Sequence, residues 1–331
     1  MKKTTPTRRK TRRKKGSKLK KFLILLIILV LVLLVLAYLT KQAEEPSTAQ
    51  TADSANWIEG LELPAPVDGE QQIRHNGYTL SYNEQYEQPS WVAYLLTRDK
   101  VNGALERADN FRPDPAVTTG SATVEDYKGS GYDRGHLCPA ADQKWSAEAM
   151  DDSFYMSNMS PQAPAFNRGI WGDLEATVRT FANDLGAVYV ATGPVLSDGP
   201  YKTIGRNKVA VPKEYYKAVL YYDGTSTARS IGFLLPNEGS NKDLKDYVVT
   251  IDALETKTGL DFFPGLDDKL ENETEAVVNV DDWDWRQFTP GDQAKVLVPS
   301  QPKKDDSKKQ LFISILSQIV KEVERQLRRL L

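Results

Sequence analysis

Tyr132-Asp133-Arg134-Gly135-His136-Leu137-Cys138 and, further on, Phe166-Asn167-Arg168-Gly169-Ile170-Trp171-Gly172-Asp173-Leu174-Glu175 decide how this chain is read. The first stretch is extended, and Arg134 and His136, two residues apart, share one face of a strand. The second is helical: Asn167 to Leu185 reads as one helix stopped by Gly186. Along it Asn167, Trp171, Glu175 and Arg179 recur every four residues as a slowly drifting stripe. A neutral imidazole accepts a proton from water near pH 7, and a neighbouring guanidinium holds a phosphate oxygen while lowering the imidazole pKa. Asn167 and Glu175 are separated by about 12 Å of helix rise, too far for both to bind one ion directly. Asn167 as direct ligand with Glu175 on the ion's water shell is feasible, because helical side chains lean toward the N-terminus. A hard ion that keeps several waters fits magnesium. An ordinary i,i+4 pair of Glu175 with Arg179 beside a buried Trp171 accounts for the same spacing.

Working outward, the composition narrows the chemistry. The chain holds two histidines, His75 and His136, and one cysteine, Cys138, which excludes an intrachain disulfide and a Cys-based zinc site. Nothing raises His75 above a structural histidine. Cys138, close to His136, raises the option of a Cys–His nucleophile, but nothing around it points to acyl transfer, and a small buried thiol is the reading. The formal net charge is -2 and unevenly spread. Residues 1–21 carry twelve Lys or Arg and no acid, residues 303–331 eight bases against four acids, and the body between 22 and 302 has 23 bases against 41 acids. Such an acidic body meets a polyanion through a local basic face and a metal, not through bulk charge.

The chain divides into five parts. Residues 1–21 form a polybasic cytoplasmic arm; 22–39 form an uncharged apolar run long enough for a transmembrane signal anchor, with a cleaved signal peptide as the rival. Basic residues on the near side place the rest outside the cytoplasm, so a single-pass plasma-membrane protein is expected. Residues 40–56 are a linker, 57–302 the folded domain, and 303–331 a charged linker with an amphipathic helix. That helix would dock on the domain, on a second copy or on the membrane. Within the domain, Gly77–Tyr82, Trp91–Leu96, Val188–Thr192, Tyr215–Tyr222 and Ser230–Leu235 read as strands, Phe111–Ser130 as a long surface loop and Leu244–Thr258 as a helix. Residues 260–285 are acidic. The absence of a regular βαβ alternation points to an α+β fold, a mixed or antiparallel sheet with flanking helices.

Asp133-Arg134-Gly135-His136 followed by Asn158, Asn167 and Glu175 resembles the DNA/RNA non-specific endonuclease family, the ββα-metal or His-Me finger nucleases. The likeness extends from about Gln72 to Phe288 through Trp91-Val92-Ala93-Tyr94, Tyr155 to Gln162, Thr192-Gly193-Pro194, Val211-Pro212-Lys213 and Thr258 to Phe263. The resemblance implies a ββα-metal finger with His136 as general base, Asn167 as magnesium ligand and Glu175 in the ion's outer shell. It implies that Arg134 and Arg179 stabilise the pentacovalent phosphate and that Asn158 orients groups around the base. Manganese would substitute for magnesium. An arginine that the family places upstream of the motif has no secure match; Arg98 is the guess. Arg168, Lys202, Arg206 and Lys208, with Arg112, Lys144, Lys213 and Lys217, are candidate phosphate contacts.

The function expected is a magnesium-dependent, largely sequence-nonspecific endonuclease cutting DNA, and RNA as a second substrate, by His-activated water. A non-catalytic nucleic-acid binding or uptake component, and a phosphodiesterase acting on small nucleotides or lipid head groups, are the alternatives.

Overall fold

Along Tyr215–Leu220 the side chains alternate between two buried environments. Tyr215, Lys217 and Val219 face one side, while Tyr216, Ala218 and Leu220 face the other. A strand buried on both faces belongs near the centre of a sheet covered by helices and loops. The computed structural model, which describes residues 57–292, has it there.

Eleven strands are present among the described residues. In chain order they are β1 (Gln71–Arg74), β2 (Thr79–Asn83), β3 (Gln88–Thr97), β4 (Asp133–His136), β5 (Met159–Gln162) and β6 (Ala187–Pro194). There follow β7 (Lys202–Ile204), β8 (Val209–Val211), β9 (Glu214–Tyr222), β10 (Ala228–Pro236) and β11 (Val248–Val249). Seven make one sheet in the order β1-β2-β3-β6-β9-β10-β11; β4 pairs with β5 and β7 with β8. All these ladders are antiparallel. The helices are α1 (Arg98–Val101), α2 (Val124–Tyr127), α3 (Ala147–Asp152), α4 (Pro164–Asn167), α5 (Ile170–Leu185), α6 (Ile251–Thr258) and α7 (Asp268–Glu275). The α+β architecture with an antiparallel core and a ββα finger, β4-β5-α4/α5, is therefore present.

Helix α5 covers one face of the large sheet. Ile170, Leu174, Val178 and Phe181 recur at three- and four-residue spacing and pack with Val190, Val219, Ile231 and Phe233. The opposite face is covered by Ile251 and Leu254 of α6 and by Phe262 and Phe263, against Trp91, Tyr189 and Tyr216. Each large apolar side chain buried here contributes roughly 1.5–3 kcal/mol. The β7–β8 hairpin sits on the finger through Ile204, Val209 and Val211 against Met156 and Met159.

Three sequence expectations are corrected. The helix expected over Asn167–Leu185 is two helices, α4 and α5, joined at Arg168-Gly169. A Cβ on Gly169 would stand 2.5 Å from the Ala165 carbonyl oxygen, so the joint closes only without one. Leu244–Thr258 is not one helix either. A 3-10 turn at Leu244–Tyr247 leads into β11, and α6 starts only after Thr250, whose hydroxyl accepts from the Ala253 N–H. The β-branched pair Val248-Val249 prefers the edge of β10. Finally, Phe111–Ser130, expected as a long surface loop, is on the surface only in part: it contains α2, Asp114, Val117, Ala122, Asp126 and Tyr127 are buried, and the Ala122 N–H donates to Tyr82 Oη at 3.2 Å. The polybasic arm, the apolar run 22–39 and the amphipathic segment after 303, with the oligomer and membrane contacts expected of them, lie outside the described residues. Among the described residues no helix is long and apolar enough to cross a membrane.

The joint at Gly169 gives the first prediction. Gly169→Ala should cost about 1–3 kcal/mol by overpacking, read as a lower urea midpoint at unchanged m-value; an unchanged midpoint would show that the joint relaxes freely.

Candidate active site

Strand β4 carries Asp133-Arg134-Gly135-His136 and pairs with β5, His136 opposite Met159 and Gly135 opposite Ser160. Gly135 is required by close approach, since a Cβ there would overlap the side-chain amide of Gln162. Beyond the strand the chain is tied down by Asn158. Its Oδ1 accepts from the Cys138 N–H at 2.9 Å, and its Nδ2 donates to the Cys138 and Ser153 carbonyls, each at 2.9 Å. Every polar atom of this fully buried amide is thus engaged with backbone near the base, and none touches the imidazole.

His136 is 8% exposed, and its ring packs edge-on against Phe111 and Phe154 at centroid separations of 5.5 and 5.0 Å. Its Nε2 is buried without a hydrogen-bond partner among the described residues. Burial, reinforced by the positive charges of Arg107 and Arg134 and opposed by Asp109, lowers its pKa to about 3. The ring is therefore neutral at pH 7, with a lone pair available as base. Arg134 lies with its guanidinium carbon 4.0 Å above the Phe111 ring.

Asn167 ends α4, and its Nδ2 donates to Asp133 Oδ2 at 3.0 Å. Arg168 grips the same carboxylate with two bonds, Nε to Oδ2 at 2.8 Å and a terminal nitrogen to Oδ1 at 2.6 Å. Burial pushes the Asp133 carboxyl up, but these donors outweigh it and hold it below the ordinary range. With Nδ2 committed, Asn167 Oδ1 has no partner among the described residues and is the oxygen open to a hard cation. Glu175, in the second turn of α5, forms no ion pair or hydrogen bond among the described residues. Burial pushes its carboxyl up to about 7, while Lys217 and Arg179 pull it down.

Two residues that complete this cluster escaped the sequence. Lys217 does not line a phosphate groove as expected. It is wholly buried in β9, and its ammonium lies 4.8 Å from the Trp171 ring centroid without a hydrogen-bond partner among the described residues. Burial lowers its pKa against the pull of Glu175 and Asp142. Asp142 is 1% exposed; it takes Arg179 at 2.9 Å on one oxygen and the Tyr94 hydroxyl at 3.0 Å on the other. Strand alternation in β9 carries the one available signal, since a lysine in phase with Tyr215 and Val219 is core-facing.

Arg98 caps the far end of α5, donating to the Asn183 and Asp184 carbonyls at 2.6 and 3.3 Å, and does not reach the site. Arg107 does: its charge acts on both His136 and Glu175. No short motif marks it, so nothing in the sequence singles it out. Lys202, Arg206 and Lys208 are exposed on the β7–β8 hairpin, and Lys202 stands 5.1 Å from the ring of Tyr132, just before β4. Arg112 is instead bound to Asp151 at 2.5 Å and stacked on Tyr155.

The ββα finger with these side chains sits in a nucleic-acid hydrolase, of a class that is metal-dependent in general. The sequence model of the DNA/RNA non-specific endonuclease family matches residues 59–269, and the chain belongs to that family. It is 38% identical over 217 residues to a protein named mitochondrial nuclease EXOG from Xenopus laevis, covering 61% of each chain, so the match spans less than two thirds of that relative. Against a nuclease of Nostoc sp. it is 38% identical, over 62% of this chain and 77% of that one. Human mitochondrial endonuclease G is 35% identical, over 57% of this chain and 68% of that one. In the crystal structure of the EndoG/EndoGI complex, described as showing the mechanism of EndoG inhibition, a chain superposes with a TM-score of 0.57 at 32% identity. That match covers 60% of this chain and 88% of the other. The expected single-pass plasma-membrane location is overturned by relatives such as these, which are named as mitochondrial nucleases.

The buried imidazole sets a pH signature. Between about pH 6.5 and 3 the unfolded chain takes up a proton on this ring and the folded chain does not, so His136 makes stability fall as the pH drops through that window. The His136 ring resonances should remain those of a neutral imidazole at pH 5; a midpoint near 6.5 would overturn the burial account.

Proposed function

We propose that this domain is a magnesium-dependent, largely sequence-nonspecific endonuclease of DNA and RNA, with manganese as substitute ion. The observation that carries the reading is that a neutral His136, Asn167 with an Oδ1 and Glu175 with a carboxylate that have no partner among the described residues lie on one finger of a chain belonging to this family. The donor set is oxygen-only and incomplete, as a hard ion that keeps its waters requires. Asn167 would hold it directly and Glu175 through its water. When bound, the ion neutralises charge on the scissile phosphate and on the departing 3′ oxygen.

The remaining work falls to this chain. His136 takes the proton from the attacking water, and Phe111 and Phe154 keep the ring neutral and fixed in orientation. Asn158 fixes the backbone just beyond the base. Arg134, whose guanidinium has no hydrogen bond or ion pair among the described residues, offers its donors to the phosphate as charge accumulates, and Arg179, anchored by Asp142, holds positive potential near Glu175. Arg168, Lys202, Arg206 and Lys208 supply backbone contacts along the finger and its neighbouring hairpin. Such contacts position a polyanion without reading its bases, which accounts for low sequence preference.

Supercoiled plasmid incubated with the protein should be nicked with magnesium and left intact with EDTA. His136→Ala should lower the rate by roughly 10²–10⁴-fold, and Asn167→Ala should raise the magnesium concentration needed. Cutting that survives His136→Ala sinks the assignment of the base. Retained DNA binding without cutting favours the non-catalytic module, and turnover confined to small diesters favours the phosphodiesterase.

A further inference from the structure

On the face of the large sheet opposite α5 lies a second group of carboxylates. Asp252 and Glu255 stand three apart on α6 and so share a side of it, and Glu275 ends α7. One carboxylate oxygen from each lies within 4.8 Å of the other two. Oxygens on opposite sides of a calcium ion stand about 4.6–5.2 Å apart, so these three fit one calcium coordination sphere as they are.

The arrangement differs from an ordinary acidic surface through Glu275. It is 4% exposed, its Oε1 is buried, and that oxygen has no hydrogen-bond partner among the described residues. None of the three forms an ion pair with a Lys or Arg among the described residues. Of their oxygens, Glu255 Oε1 accepts from the Phe262 N–H at 2.7 Å. Burial and the charges of Glu255, Glu271, Asp252 and Asp261 push the Glu275 carboxyl up to about 9, so without a cation it takes a proton. A buried carboxylate aimed at two others requires either that proton or a cation. The absence of His and Cys disfavours zinc, and an all-carboxylate set favours a large hard ion.

We propose that Asp252, Glu255 and Glu275 bind a calcium ion that clamps α6 to α7 over β9 and β10, separately from the nuclease site. The two helices otherwise meet this face through Ile251, Leu254 and Leu270 and through the Thr274 carbonyl, which accepts from Ser230 Oγ at 2.9 Å. The site is structural, since α5 and the finger lie across the sheet.

The test is thermal unfolding of the full chain, stripped of metal and titrated with calcium. Calcium at about a hundred-fold over its Kd should raise the Tm by roughly 5 °C. The rise should survive Asn167→Ala, which disables the nuclease site, and vanish in Glu275→Gln. Glu275→Gln should leave magnesium-dependent plasmid nicking unchanged. Asp252→Asn, at an exposed position, gives the same readout if Glu275→Gln folds poorly. No rise in the parent chain, an equal rise in both carboxamide variants, or loss of the rise in Asn167→Ala would each overturn the proposal.

Discussion

A wholly buried ammonium stands in the middle of the sheet. Lys217 has no hydrogen-bond partner among the described residues, and in so dry a place its charge is tolerable only beside compensating negative charge. Asp142 and Glu175 supply it from two different elements, and Arg179 shares both acids. The sheet, the turn after β4 and helix α5 are thereby coupled through one set of charges rather than through apolar packing alone. Asp142 is saturated by Arg179 and Tyr94. Of the two acids, Glu175 is the one left with unfilled capacity, and that is the chemistry a metal's water shell needs.

His136, the proposed base, is built on a different principle. His136 Nε2 gains no hydrogen bond among the described residues; two phenyl edges and the surrounding arginines keep the ring uncharged. Asn158, with all its polar atoms satisfied by backbone, fixes the chain on which the ring sits. The finger thus carries a dry imidazole and, on the proposed reading, a neutral proton acceptor and two oxygens for a cation in one site. Keeping these environments apart is the task of Gly135, which lets β4 lie against Gln162, and of the Asp133 grip on Asn167 and Arg168.

Much of this was legible because it is local. The Arg134/His136 pair needed only the two-residue period of a strand, and the Trp171, Glu175 and Arg179 stripe of α5 only the helical period. The sheet strands followed from runs such as Trp91–Leu96 and Tyr215–Tyr222. What escaped depends on distant partners. Gly169 breaks the helix because of the Ala165 carbonyl, Lys217 is buried by a helix far away in sequence, and Arg107 reaches the base only through the folded loop. Val248-Val249 became a strand because β10 offered an edge, which outweighed a helical pattern.

Strands β3 and β6 are neighbours in the sheet, with Thr97 opposite Ala187, and the Arg98 N–H donates to the Gly186 carbonyl at 2.8 Å. Between those two points the chain makes one excursion that contains His136, Asn158, Asn167, Glu175 and Arg179. Its ends are joined at a single rung and fastened by the Arg98 side chain to the last turn of α5. The residues proposed for catalysis therefore form a cassette with a common entrance and exit. Lys217 and the basic hairpin are the parts it borrows from the host sheet, so a transplanted finger would carry its ligands but leave behind the charge that keeps Glu175 in check.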